Sequence, residues 1–129
     1  YNRNAKKKLY RIVFACDEIA EVLDKTGLSK QQKDEILKIE SELSIIARQG
    51  RAFGIHLVLA TQRPDAAILN GQIRNNIDTR ICGRADNVLS QIILDNTDAS
   101  DKIAKSSQGR FLTNSGKIFQ AYWFDENIL

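Results

Sequence analysis

An α/β fold with a mostly parallel sheet flanked by helices is predicted for this 129-residue sequence. Three observations carry the prediction. Short apolar runs rich in strand formers alternate with helical patterns, as in repeated strand-helix units. The first such run, Ile12 to Cys16, is apolar on both sides, as expected of a central strand covered by helices on both faces. The last segment has two alternating runs, 109–113 and 117–124, joined by Asn114-Ser115-Gly116, which predicts a C-terminal β-hairpin.

Taken in order, residues 1–9 are polar and basic and are expected to form a flexible arm. Residues 10–129 form the domain, opening with a strand over 10–16 and a helix over 18–25 that stops near Gly27. Ser29 has the character of an N-cap, with Gln32 completing a capping box. Ile36, Ile39, Leu43 and Ile46 recur at helical spacing, while Lys33, Asp34, Lys38, Glu40 and Glu42 take the other face. Gly50 is expected to close this helix. A strand over 56–61 ends before Pro64, a short helix is expected around 66–76, and a third strand over 79–84. Asp86 caps a helix to about Leu94, and Asp98 or Ser100 caps another to about Lys105.

Apolar content of 43% is enough for a core, and a net charge of +3 with a pI near 9.0 is too mild to imply nucleic-acid binding by itself. Cys16 and Cys82 lack metal-ligand spacing and are expected to be reduced core thiols. No apolar stretch approaches a transmembrane length, and no signal peptide is visible.

The first strand ends in two adjacent acids, Asp17 and Glu18. Ligands of parallel sheets bind at the carboxyl ends of strands. There, one carboxylate can hold a magnesium-bound water and the other can deprotonate an attacking water, the arrangement called Walker B. Acids at that position also occur where a strand merely runs into a helix N-terminus, favoured by the helix dipole.

Residues 46–84 carry several motifs in one order: Ala47 to His56, Leu57 to Pro64, Gly71 to Asn76, and Thr79 to Ile81. They resemble the family patterns Ala-Arg-x-Gly-Arg-Ala-x-Gly-Ile-His, Leu-x-x-Ala-Thr-Gln-Arg-Pro, Gly-x-Ile-(Lys/Arg)-x-Asn and Thr-Arg-Ile of the FtsK/SpoIIIE DNA-translocating ATPases. The tail, 108–126, looks like that of coupling proteins of Gram-positive conjugative elements, and type VII secretion ATPases end similarly.

The resemblance implies part of a RecA-like P-loop NTPase fold using ATP and Mg²⁺. It implies a homo-hexameric ring acting on DNA, double-stranded by expectation, in the cytoplasmic part of a membrane-anchored protein, with relaxase or secretion-system partners. One departure is large. The phosphate-binding motif G-x-x-x-x-G-K-[ST] is absent, since Gly116-Lys117 is followed by Ile118 and lacks the earlier Gly. The expectation is therefore a C-terminal portion of a motor domain, with that motif upstream of Tyr1, and a fragment inactive by itself.

Site residues follow from the resemblance. Asp17 binds Mg²⁺ through water, Glu18 is the base, and Gln62 senses the γ-phosphate or positions water. Arg80, with Arg84 second, is the cation delivered in trans; Arg51, Arg63 and Arg74 are weaker candidates whose bland reading is a surface ion pair. His56, the one histidine, is expected to be buried and hydrogen-bonded, and Tyr122 and Trp123 to pack in the hairpin. Pore-side segments are expected at 29–49 and 64–76. The alternatives are a type VII-like protein-secretion motor, a non-catalytic degenerate ATPase module, or an unrelated nucleotide-binding protein.

Overall fold

The computed structural model describes residues 4, 6, 9–62 and 71–122. Arg63, Pro64, Trp123 and the start of the helix expected at 66–76 lie outside them. The chain forms two compact units, residues 1–77 and 78–129.

The first unit begins with β1 (Ile12–Cys16), α1 (Ile19–Leu23), α2 (Lys30–Phe53) and β2 (Ile55–Leu59), and ends with α3 (Gly71–Asn75). β1 and β2 pair in parallel, from Ile12 opposite Ile55 to Cys16 opposite Leu59. The capping box at the start of α2 is present: Ser29 Oγ accepts from the Gln32 amide at 3.4 Å, and Gln32 Oε1 accepts from the Ser29 amide at 3.0 Å. The helix does not stop at Gly50. It runs on to Phe53 and is closed by Gly54, whose φ of 77° is the left-handed conformation glycine adopts at little cost. Gly50 is buried inside the helix.

The inner face of α2 also differs from expectation. Leu43 is buried and Ile36 partly so, but Ile39 is exposed. Glu40, expected on the polar face, is buried and receives Lys25 Nζ at 2.7 Å. The turn-by-turn advance of 3.6 residues carries the buried stripe through 36, 40 and 43, and the ion pair makes a carboxylate there tolerable. Ile19, Leu23, Leu43 and Ile73 form the core, with Cys16, Ile36, Leu57, Leu59 and Ile77 against it.

Two further corrections concern the strands. β1 is not covered on both faces: Ile12 to Ala15 are exposed, and among the described residues only β2 pairs with it. His56 is exposed as well, because the period-two alternation of β2 turns Ile55, Leu57 and Leu59 inward and His56 and Val58 outward.

The second unit contains β3 (Ile81–Cys82), α4 (Asn87–Leu94), α5 (Asp98–Lys102), β4 (Arg110–Thr113) and β5 (Ile118–Gln120). The third strand is shorter than expected, and it pairs antiparallel with β4 in a sheet ordered β3-β4-β5. The hairpin is as expected: Gly116 at φ 82° makes the turn, and Phe111 stacks on Phe119 at 5.7 Å. Tyr122 does not pack in the hairpin but is fully exposed.

Asp86 caps α4 through the Leu89 amide at 2.8 Å. The cap position of α5 falls to Thr97 rather than to Asp98 or Ser100. Thr97 turns its hydroxyl to Asp101 at 2.7 Å, and Asp98 lies in the first turn, where its charge suits the helix dipole. Cys82, Leu94, Ala99, Ile103 and Leu112 form the core. Both cysteines are free thiols, and burial pushes the Cys82 thiol up from its ordinary value.

Candidate nucleotide-hydrolysis site

The parallel register of β1 and β2 brings their carboxyl ends together. Two residues beyond the Cys16–Leu59 pair, Glu18 stands opposite Thr61. The backbone stitches this end closed: Ala60 donates to the Cys16 carbonyl at 2.8 Å, and Ile19 donates to the Ala60 carbonyl at 2.9 Å.

Glu18 occupies the position before the first turn of α1, where an acid would ordinarily cap its own helix. It makes no such cap bond. Its carboxylate turns instead to the end of β2, where Thr61 Oγ1 donates to Oε1 and the Gln62 amide donates to Oε2 at 2.9 Å. Glu18 thus does stand at a helix N-terminus, while its side chain bonds the end of β2 rather than the helix. A carboxylate fixed at both oxygens has a set direction and still keeps lone pairs for a further donor.

Asp17 precedes it and is exposed. No group of three or more His, Cys, Asp or Glu residues able to hold a metal occurs among the described residues. Magnesium needs no such cluster, since it keeps its waters and takes one or two carboxylates together with phosphate oxygens. A hard, exposed carboxylate beside the fixed Glu18 fits that requirement. The side chain of Gln62 is exposed, and it is the backbone amide that touches Glu18.

Asp17, Glu18 and Gln62 are thus brought together within the first unit. Arg80 and Arg84 belong to the second, where each already has partners. Arg80 Nη2 pairs with Asp95 Oδ2 at 2.6 Å, while its buried Nε has no hydrogen-bond partner among the described residues. Asp95 sits in the left-handed conformation at the end of α4. Arg84 Nη1 donates to the carbonyls of Ser100 and, at 2.6 Å, of Ile103, satisfying acceptors at the end of α5. Arg51 is exposed, and Arg74 lies in the last turn of α3.

Thr61 is the site residue missed by sequence reasoning. It is a fixed position of the Leu57 to Pro64 motif, but its partner is found only by counting two residues past the last ladder pair, which places it opposite Glu18 and requires knowing that β1 and β2 are neighbours.

No family model matches the chain. It is 33% identical over 129 residues to DNA translocase FtsK of Haemophilus influenzae, covering 97% of this chain and 23% of that protein. It is 39% identical over 89 residues to DNA translocase FtsK 2 of Ralstonia nicotianae, covering 68% and 10%. With DNA translocase FtsK of Chlamydia pneumoniae the identity is 36% over 102 residues, covering 78% and 12%. The chain therefore spans less than a quarter of the length of these curated relatives. Among solved structures, it is similar to the pCW3 conjugation coupling protein TcpA, in its monomer form with ATPgS, at a TM-score of 0.85 and 42% identity, covering 95% of this chain and 35% of that one. The cytoplasmic domain of the type VII secretion ATPase EccC of Thermomonospora curvata shares the fold, at a TM-score of 0.59 and 24% identity over 85% of this chain and 12% of that one.

Proposed function

Because this chain belongs to the FtsK/SpoIIIE-type motor family, we propose that it is the part of an ATP-driven DNA translocase that supplies the hydrolytic carboxylates. The observation that carries this proposal is the Glu18 carboxylate, turned away from its own helix and fixed by Thr61 and Gln62 at the carboxyl ends of a parallel strand pair.

Glu18 takes a proton from a water as the water oxygen bonds the γ-phosphorus. The bond from that phosphorus to the β–γ bridging oxygen breaks, giving ADP and inorganic phosphate. Asp17 would hold magnesium through a water, and the ion would neutralise charge on the phosphates. The Gln62 side chain, exposed beside the carboxylate, reads the γ-phosphate or orients the water.

The phosphate-binding motif is absent from these 129 residues, so the chain alone is expected to lack hydrolytic activity. Arg80 is the candidate cation delivered to a neighbour's γ-phosphate in a hexameric ring, and to act so it must exchange Asp95 for phosphate. Double-stranded DNA as cargo, a role in conjugative transfer with relaxase or secretion-system partners, and a membrane anchor supplied by another segment complete the proposal. The likeness to the coupling protein TcpA supports the conjugative role. No helix among the described residues is long and apolar enough to cross a membrane.

The test is Glu18→Gln in the full-length protein. The amide can hydrogen-bond water but cannot accept its proton, so turnover should fall by at least about 100-fold while ATP binding is retained. Near-normal turnover removes Glu18 from the mechanism.

A further inference from the structure

The exchange at the end of β2 goes beyond naming Glu18 as a base. General-base catalysis by a glutamate depends on where its carboxylate points, and a free glutamate side chain has three rotatable bonds to settle. Among the donors that hold it, two lie one residue apart at the end of β2. One is a backbone amide, Gln62 N–H, which substitution cannot remove simply. The other is a side-chain hydroxyl, Thr61 Oγ1–H, which substitution can.

We propose that Thr61 is a positioning residue for hydrolysis, its hydroxyl holding the Glu18 carboxylate in the orientation that receives the proton of the attacking water. This rests on the ATPase reading given above. Three features make Thr suited to the task. It is β-branched, so its χ1 is stiff and the hydroxyl keeps its direction. It stands just past the paired part of β2, and the residue before it, Ala60, is tied to the end of β1 by its bond to Cys16 and to the start of α1 by its bond from Ile19. It also donates to a charged acceptor, the stronger class of hydrogen bond. Thr61 touches Glu18 rather than substrate, so its effect passes through the carboxylate.

The experiment is steady-state ATP hydrolysis by the full-length protein. Thr61→Val keeps size and shape and removes the donor. It should lower kcat on the order of 10-fold and leave KM for ATP within about twofold, because orientation is lost and nucleotide contacts are not. Thr61→Ser restores the donor and should return kcat to within about threefold of the unsubstituted protein. Thr61→Ala should behave like Thr61→Val, which guards against a misfolded valine variant.

On a Glu18→Gln background, Thr61→Val should produce no further loss beyond about twofold, since the group it positions is no longer a base. A kcat unchanged in Thr61→Val, a serine variant as slow as the valine one, or losses that multiply in the double variant would each overturn the proposal. The parent reading fails separately: it falls if Glu18→Gln alone hydrolyses ATP normally, whereas a slow Glu18→Gln with an unaffected Thr61→Val removes only the role of Thr61.

Discussion

In the second unit, side chains from β3, α4, α5 and β4 close over one another, and Leu112 and Ile103 lose essentially all contact with solvent. In the first unit an equally apolar strand stays open: Ile12, Val13 and Phe14 of β1 are 58%, 62% and 47% exposed. Hydrophobic residue type does not separate the two cases. What separates them is where partners come from. The second unit builds its core from residues 82–112, close in sequence. Among the described residues β1 has a partner on one edge only, β2, 43 residues further along. An open, apolar strand edge is a template for pairing.

The largest expected effect lies in the closed core. Leu112→Ala should cost about 2–5 kcal/mol, the usual range for emptying a buried leucine site. Hydrogen exchange would show this as faster exchange of the β3, β4 and β5 amides, with β1 and β2 unchanged. Equal acceleration throughout would erase the distinction between the units.

A smaller effect is expected at the end of α5. Arg84→Ala strips two carbonyl oxygens of a charged donor, a loss on the order of 1–3 kcal/mol. Thermal unfolding measures it, and Arg84→Lys should recover only part, since an ammonium is a point donor on a more flexible stem. A neutral Arg84→Ala would free this residue for the catalytic role that sequence reasoning placed second. The smallest effect belongs to the open strand. Val13→Thr in the 129-residue chain should change stability by less than about 0.5 kcal/mol, as for other exposed positions. A loss above about 1 kcal/mol by denaturant unfolding would mean that β1 is covered after all.

Features set by a few adjacent residues were legible in the sequence. The Ser29–Gln32 capping box, the Asp86 cap, the Gly116 turn and the first strand needed only local chemistry. Features set by distant neighbours were not. Gly50 and Gly54 look alike as helix stops in the sequence; the left-handed conformation of Gly54 closes the helix, while Gly50 lies buried against Ile55 of β2. The helical period puts Glu40 on the polar face, and nothing local signals its partner, Lys25, which lies before the helix begins. The direction of β3 depended on β4, whose pairing no local pattern announces. The same holds at the site: Asp17, Glu18, Thr61 and Gln62 all fall in the quoted motifs, while the contact of Thr61 with Glu18 becomes visible only when register is known.

Gly50 has a consequence at the start of its neighbouring strand. A Cβ there would lie 3.1 Å from the Ile55 carbonyl oxygen and 3.3 Å from Ile55 Cβ. Alanine would gain about 1 kcal/mol in helix propensity, yet it would have to push Ile55 by a few tenths of an ångström. Ile55 is the first residue of β2, and at roughly 3.3 Å per residue Leu59 lies some 13 Å further along the strand. Just beyond sit the two donors that aim Glu18. The missing side chain at position 50 therefore acts as a gauge block: it sets how closely α2 may approach the first residue of the strand whose far end meets Glu18.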